Sequence, residues 1–271
     1  MIFTYNEEHR IERVIKNYEQ YGAVLLADGG STDKTHEIAS NNGCEVFVRP
    51  QTDHAFVENE IVMDALFKIV KTDWIFLGYA DEHMSKDTLE RVSEVVASNK
   101  FDAIKIYRKN YFYGDFCNDS FKSANNRFFK KGAYDFKDNF IHGMGKAMIS
   151  ESRIFNLPHQ YFVHHFIDNT LDSHLSKLNK YTDSELDTNG HSQAKTSVFY
   201  SIYVILKNLL KNYFYEKGYK TGFAALTLAE MNIFYDLIKN IKIYEAQNHI
   251  TNETIDKKNN LHRTEILKDF V

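Results

Sequence analysis

Short apolar runs alternate with amphipathic stretches through the first hundred residues. Ile2 and Phe3 form the stub of a strand, and Ile11, Val14, Ile15 and Tyr18 then recur at the spacing of one helix face. Ala23 to Ala27 is a second strand-like run, Ser31 stands where it can cap a helix continuing through Ile38, and Cys44 to Val48 supply a third strand. Val57 to Val70 reads as a helix, Trp74 to Leu77 as a buried strand, and Ser85 as the cap of a helix carrying Leu89, Val92, Val95 and Val96. Such alternation predicts an α/β domain with a mostly parallel central sheet. From Asp102 to about Leu157 the pattern loosens into aromatic, Gly- and Asn-containing mixed strands and loops. Helical spacing returns at Leu171, Leu175, Leu178 and Tyr181, followed by an aromatic-rich stretch to Tyr244. The expected layout is a catalytic domain over 1–166, a helical extension over 167–247 and a loosely attached polar tail over 248–271.

Three polar clusters each terminate an apolar run: Thr4-Tyr5-Asn6-Glu7-Glu8, Asp28-Gly29-Gly30-Ser31-Thr32-Asp33 and Tyr79-Ala80-Asp81-Glu82. An open parallel sheet collects ligands outside the carboxyl ends of its strands, so these clusters are expected to meet in one crevice. A phosphate-bearing small molecule is the first ligand class such a crevice brings to mind.

Composition narrows the field. The chain has 271 residues, 43% hydrophobic and 26% charged, enough to bury a sizeable core. A net charge of −4 and a pI near 6.3 give no overall electrostatic case for nucleic acid as partner. Cys44 and Cys117 have no metal or redox spacing, and no signal-peptide pattern opens the chain, so a cytoplasmic setting is expected. Val198 to Tyr215 interleaves aromatic and aliphatic residues with Lys207 and Lys211. It fits either a helix lying on a membrane surface or one packed on the body or on a second copy of the chain.

Taken in order, these residues resemble family 2 glycosyltransferases of the GT-A (Rossmann-like nucleotide-binding) fold. Within them the chain resembles the bacterial lipopolysaccharide-core β-glucosyltransferase group (WaaE/KdtX-like). Thr4 to Glu8 is similar to that group's opening motif, Asp28 to Thr35 to its "D-x-x-STDKT" segment, and Trp74 to Glu82 to its "W-I-L-x-L-D-A-D-E" segment. Arg127 to Lys131 is similar to "R-L-F-R-R", and His165 to Tyr181 to the "H-Y-x-x-x-S-L-x-x-Y-L-x-K-L-N-R-Y" stretch. The resemblance implies an inverting hexosyl transfer from a nucleotide sugar, a UDP-sugar by preference, to a glycan or lipid-linked acceptor. A peptide or protein acceptor, or a degenerate domain that binds without turnover, are the alternatives.

The resemblance also implies roles. Asp81 and His165 would hold Mg²⁺ or Mn²⁺, with Glu82 in support; Thr4, Glu7, Asp28 and Ser31 would line the nucleotide pocket; Arg127 would face phosphates. Blander readings stand beside these: an acidic turn at Asp81, a turn and N-cap at Asp28 and Ser31, and a structural histidine at His165. Three departures remove carboxylates expected from the group, at Tyr79, Ser123 and Gly143. The acceptor base is then expected from Asp135, Asp138 or Asp119. Only Met1, Ile2 and Phe3 precede the opening motif, a shorter first strand than the resemblance leads one to expect.

Overall fold

Three strands, β1 (Ile2–Thr4), β2 (Leu25–Asp28) and β3 (Glu45–Val48), run parallel and are joined by α1 (Ile11–Tyr18) and α2 (Thr35–Asn41). They belong to a computed structural model that describes residues 1–52, 56–119, 122–137, 144–167, 170–189 and 196–268. The register aligns Ile2 with Leu26 and Phe3 with Ala27, so alternate side chains enter opposite layers. Ile2 and Leu26 pack with Ile11, Val14 and Ile15 of α1, whose apolar spacing is what holds that helix to the sheet. Phe3 and Ala27 face the other way, toward Met63 and Leu66 of α3 (Glu60–Ile69). That helix starts three residues later than the sequence pattern predicts, because the Asn59 side chain accepts from Val62 N and caps it there.

The apolar run after α3 is divided. β4 (Trp74–Phe76) pairs with a later strand, whereas β5 (Gly78–Tyr79) pairs in parallel with β1, so the two sheets meet at Leu77. Gly78 permits this close approach: a Cβ there would sit 2.6 Å from Ile2 Cδ1 and 2.7 Å from the Phe76 ring. The first sheet has the order β3-β2-β1-β5 and is wholly parallel. After β6 (Glu82–Met84), Ser85 caps α4 (Lys86–Ala97) as expected, its hydroxyl accepting from Thr88 N.

The mixed region holds β7 (Ala103–Phe112), β8 (Asp115–Phe116), β9 (Ser123–Lys130), β10 (Tyr134–Asp135), β11 (Lys146–Ala147), β12 (Ile154–Asn156) and β13 (Phe162–Ile167). The second sheet runs β4-β9-β7-β13-β6, with β8 and β12 also on β7. Here β12 and β13 are parallel to β7, while β9, β8 and β6 enter antiparallel. An α/β domain whose first sheet is parallel and whose second is mixed is therefore what the chain forms.

The helical extension follows: α5 (Leu171–Asn189), α6 (Val198–Asn208), a π-helical segment (Leu209–Tyr215), α7 (Phe223–Gln247) and α8 (Asn252–Leu267). Ala225, Leu228 and Met231 of α7 pack on Phe112, Cys117 and Ile167, docking the extension on the ends of β7 and β13. Lys242 ties α7 to α5 through Asn179, Thr182 and Asp183. The polar tail is a helix, started by a reciprocal Thr251–Thr254 capping box, with no buried residue along it.

Candidate active site

Asp28 ends β2 and is fully buried. Its Oδ2 accepts from Gly30 N and Ser31 N, both at 2.7 Å, and lies 2.8 Å from His36 Nε2; its Oδ1 accepts from Ser31 Oγ at 2.5 Å and Thr4 Oγ1 at 3.0 Å. Burial by itself would raise the Asp28 pKa, but the hydrogen bonds from Ser31, His36 and Thr4 outweigh it and hold the group down at about 2. Five partners fill the acceptor capacity of one carboxylate. Asp28 thus spends its lone pairs within the chain and braces the turn. The expected helix cap at Ser31 is corrected. Ser31 caps no helix, since α2 begins at Thr35, and its Oγ instead joins Asp28 to the Asn6 backbone, accepting from Asn6 N at 2.8 Å.

Further bonds stitch the loop after β1 to the loop after β2. Thr32 N donates to Asn6 Oδ1, Glu8 N to Asp33 Oδ2, and Glu7 N to Thr35 Oγ1. The Glu7 carboxylate meets Arg10.

Asp81 lies in the turn between β5 and β6. Two side-chain amide bonds place β6: Asn17 of α1 donates to Met84 O and accepts from Met84 N, each at 2.9 Å. β13 then pairs antiparallel with β6, aligning His165 with Glu82, while its other edge aligns His165 with Asn110 of β7. His165 is therefore held between two strands, with Nε2 3.3 Å from Asp81 Oδ2 and Nδ1 2.8 Å from Asn110 Oδ1. With Nδ1 donating to the carbonyl-type oxygen of Asn110, the ring turns Nε2 toward Asp81, as a donor to the carboxylate when both nitrogens carry protons and as a ligand atom when a cation replaces the Nε2 proton. The Asp81 side chain keeps 32% of its surface exposed. Burial would raise its pKa; the hydrogen bond and charge of His165, with Arg10 and Arg108, hold it below the usual carboxylate range. Among the described residues no third His, Cys, Asp or Glu joins this pair. Two protein ligands suit Mg²⁺ or Mn²⁺, which complete their shells with phosphate oxygens and water.

Glu82 and Arg127 behave otherwise than expected. Both are buried; Arg127 Nη1 and Nη2 donate to the two Glu82 oxygens, and Arg127 Nε donates to Leu77 O at 2.6 Å. The Arg127 guanidinium also sits 4.8 Å from the centre of the Tyr79 ring. Three of its five donors are taken by Glu82 and Leu77, so Arg127 supports the floor, and both Glu82 oxygens are occupied by Arg127.

A cavity of about 640 Å³ joins these parts. Thr4, Tyr5, Glu7, Tyr79, Asp81 and His165 line it, as do residues the sequence did not single out: Arg49, Glu58, Arg108, and His174, Lys177 and Tyr181 of α5. The signal for Arg49 was its place directly after a strand, the same position that marks the three polar clusters. Glu58 was concealed inside a stretch with helical periodicity; burial pushes its carboxyl pKa up. Asp135 is exposed, accepts from Lys137 N, and does not line the cavity; Asp119 pairs with Lys109 and does not line it either. An acceptor base has to come within hydrogen-bond reach of the substrate, and neither residue stands on this wall. Asp138 and Gly143 lie outside the described residues.

Residues 1–154 match the family model "Glycosyl transferase family 2". An uncharacterized glycosyltransferase of Rickettsia bellii is 34% identical over 112 residues, 40% of this chain and 35% of the relative. Glycosyltransferase AglJ of Haloferax volcanii is 41% identical over 63 residues, 22% of this chain and 21% of its own. The chain therefore spans about a third or less of the length of these curated relatives. Among solved structures, S. aureus TarS 1–349 in complex with UDP-GlcNAc gives a TM-score of 0.45 at 14% identity, covering 90% of this chain and 88% of that one. Glucosyl-3-phosphoglycerate synthase from Mycobacterium tuberculosis, in complex with Mn²⁺, UDP and phosphoglyceric acid, gives 0.30 at 18% identity, covering 42% of each chain.

Proposed function

The chain belongs to glycosyl transferase family 2, and on that premise we propose that it is an inverting, metal-dependent hexosyltransferase. The donor is a UDP-sugar, and the acceptor is a hydroxyl of a bacterial surface glycan or its lipid-linked precursor, as in lipopolysaccharide-core assembly. The observation that carries this reading is the Asp81–His165 pair on the wall of the 640 Å³ cavity. Asp81 Oδ2 and His165 Nε2 would hold Mg²⁺ or Mn²⁺. Bound there, the ion offsets charge growing on the departing diphosphate. Asn110 keeps the imidazole in the tautomer that serves this purpose. Thr4, Ser31 and Asp28 hold the shape of the nucleoside end, while Glu7 and Arg10 stand at its rim.

A lipid-linked acceptor is supported by the exposed side chains of Val198, Phe199, Leu206, Leu210 and Tyr215 beside Lys207 and Lys211. An apolar face fringed by lysines fits an anionic bilayer surface. Among the described residues no helix is long and apolar enough to cross a membrane. Flotation with vesicles of anionic and neutral lipid tests this contact, and a homodimer through the same face is its competing outcome.

Binding without turnover is the second reading, favoured by the absence of Asp119 and Asp135 from the lining of the cavity. The discriminating experiment compares UDP-, GDP- and dTDP-sugars, with and without Mn²⁺, for binding and for release of the nucleoside diphosphate. Mn²⁺-dependent release that disappears in Asp81→Ala supports the transferase. Binding with no release under any condition supports the second reading.

A further inference from the structure

Gly29 follows Asp28 at the end of β2, and the space its missing side chain leaves is filled. A Cβ at Gly29 would lie 2.6 Å from Arg49 Nη2, 3.2 Å from Arg49 Cζ and 3.2 Å from Tyr5 Cδ2. The Arg49 guanidinium therefore lies across the Gly29 backbone and beside the Tyr5 ring. Its own backbone fixes it there, since Arg49 N donates to Asp28 O at 2.8 Å, and Gln51 Nε2 secures the next turn by donating to Gly29 O at 2.9 Å. Arg49 and Tyr5 both line the cavity, Tyr5 with its ring more than half exposed. Arg49 Nε is buried and has no hydrogen-bond acceptor among the described residues. A guanidinium held partly out of water with its Nε donor unmet is built to receive an acceptor.

The topology says which part of a ligand that acceptor belongs to. Arg49 follows β3 and Asp81 follows β5, and the order β3-β2-β1-β5 sets them three strands apart, about 14 Å at about 4.8 Å per strand. The charges acting on Arg49 are Asp28 and Glu58, whereas those acting on Asp81 are His165, Arg10 and Arg108. The two therefore serve opposite ends of an extended nucleoside diphosphate.

We propose that Arg49 is the residue that reads the nucleobase, donating to a carbonyl oxygen of a pyrimidine stacked on Tyr5, and that Gly29 is glycine because the guanidinium occupies its side-chain space. This rests on the donor-site reading above. Uracil presents two carbonyl oxygens at the edge of a small ring, whereas the acceptors of adenine are ring nitrogens of a larger bicycle, so an arginine placed for a pyrimidine carbonyl favours UDP over ADP by the position of the acceptor and by shape.

Calorimetric titration of the full-length chain with UDP and with ADP, in Mn²⁺, tests the assignment. The wild type is expected to prefer UDP. Arg49→Met is expected to weaken UDP binding roughly 10- to 100-fold, the range for a lost charge-assisted hydrogen bond, and to leave ADP binding unchanged. Arg49→Lys recovers part of the preference. Gly29→Ala, which displaces the guanidinium without removing it, is expected to lower the UDP-to-ADP ratio in the same direction. An arginine that only balances Asp28 and Glu58 would weaken both nucleotides alike or lower the melting temperature with the ratio intact, and either result overturns the proposal. If the wild type binds neither nucleotide, the donor-site reading itself fails. If it binds UDP and all three variants keep its preference, only the role of Arg49 fails.

Discussion

Two carboxylates stand at the ends of the two strands that flank β1, Asp28 closing β2 and Asp81 just past β5, and they live in opposite conditions. Asp28 is sealed and accepts from five partners; Asp81 is partly open and faces a single imidazole. Beside Asp81, Glu82 repeats the first condition, buried and matched by Arg127 on both oxygens. The lesson is that a carboxylate in a strand-end acidic cluster contributes chemistry only in proportion to the lone pairs its neighbours leave over. Satisfied groups set shape, and the partly satisfied one is left to meet a cation.

That contrast can be broken by substitution. Arg127→Met leaves Glu82 buried without its partner and is expected to cost about 4 kcal/mol of stability, read from urea denaturation. The double change Arg127→Met with Glu82→Leu should recover much of that loss, because the uncompensated charge is gone. Asp81→Asn should do the reverse: a fall of about 100-fold or more in donor turnover, with folding stability altered by less than about 0.5 kcal/mol. If Asp81→Asn unfolds the protein as readily as Arg127→Met, the division between the two kinds of carboxylate is wrong.

Smaller effects sharpen the same division. The folded pKa of Asp28, about 2, lies below its ordinary value of 3.8, so its ionised form stabilises the fold fully above about pH 4 and that contribution disappears as pH falls toward 2. Asp28→Asn is accordingly expected to cost about 2 kcal/mol at neutral pH, with the gap to wild type closing in acid denaturation curves. Ser31→Ala, which removes one hydroxyl shared by Asp28 and Asn6, should cost about 1 kcal/mol and leave turnover in Mn²⁺ within a few-fold of wild type.

Much of this was legible in the residues. The β-α alternation through α4, the Ser85 cap and the meeting of strand-end clusters follow from local periodicity and from where a parallel sheet gathers ligands. Asp81 and His165, far apart in the chain, could be paired only by family resemblance, and the β6–β13 register supplies the physical cause. Local pattern failed where a side chain's partner was remote. Ser31 has the right identity for a cap, yet Asp28 offers its hydroxyl a buried carboxylate; Arg127 has the right charge for phosphate, yet Glu82 lies closer and is already desolvated. Arg49 and Tyr181 reach the cavity from segments whose periodicity speaks only of strand and helix.

One consequence follows from the wall of the cavity. Its floor comes from the stretch that matches the family model, but His174, Lys177 and Tyr181 arrive from α5, and Leu228 and Met231 from α7, which docks on β7 and β13. Phe56, next to the nucleotide floor, stacks on Tyr181 at 5.0 Å between ring centres. The segment that matches the family model therefore does not build this cavity alone. Exchanging the C-terminal helices between related chains would also recut the cavity wall, so whatever the cavity selects is inherited from both parts of the chain together.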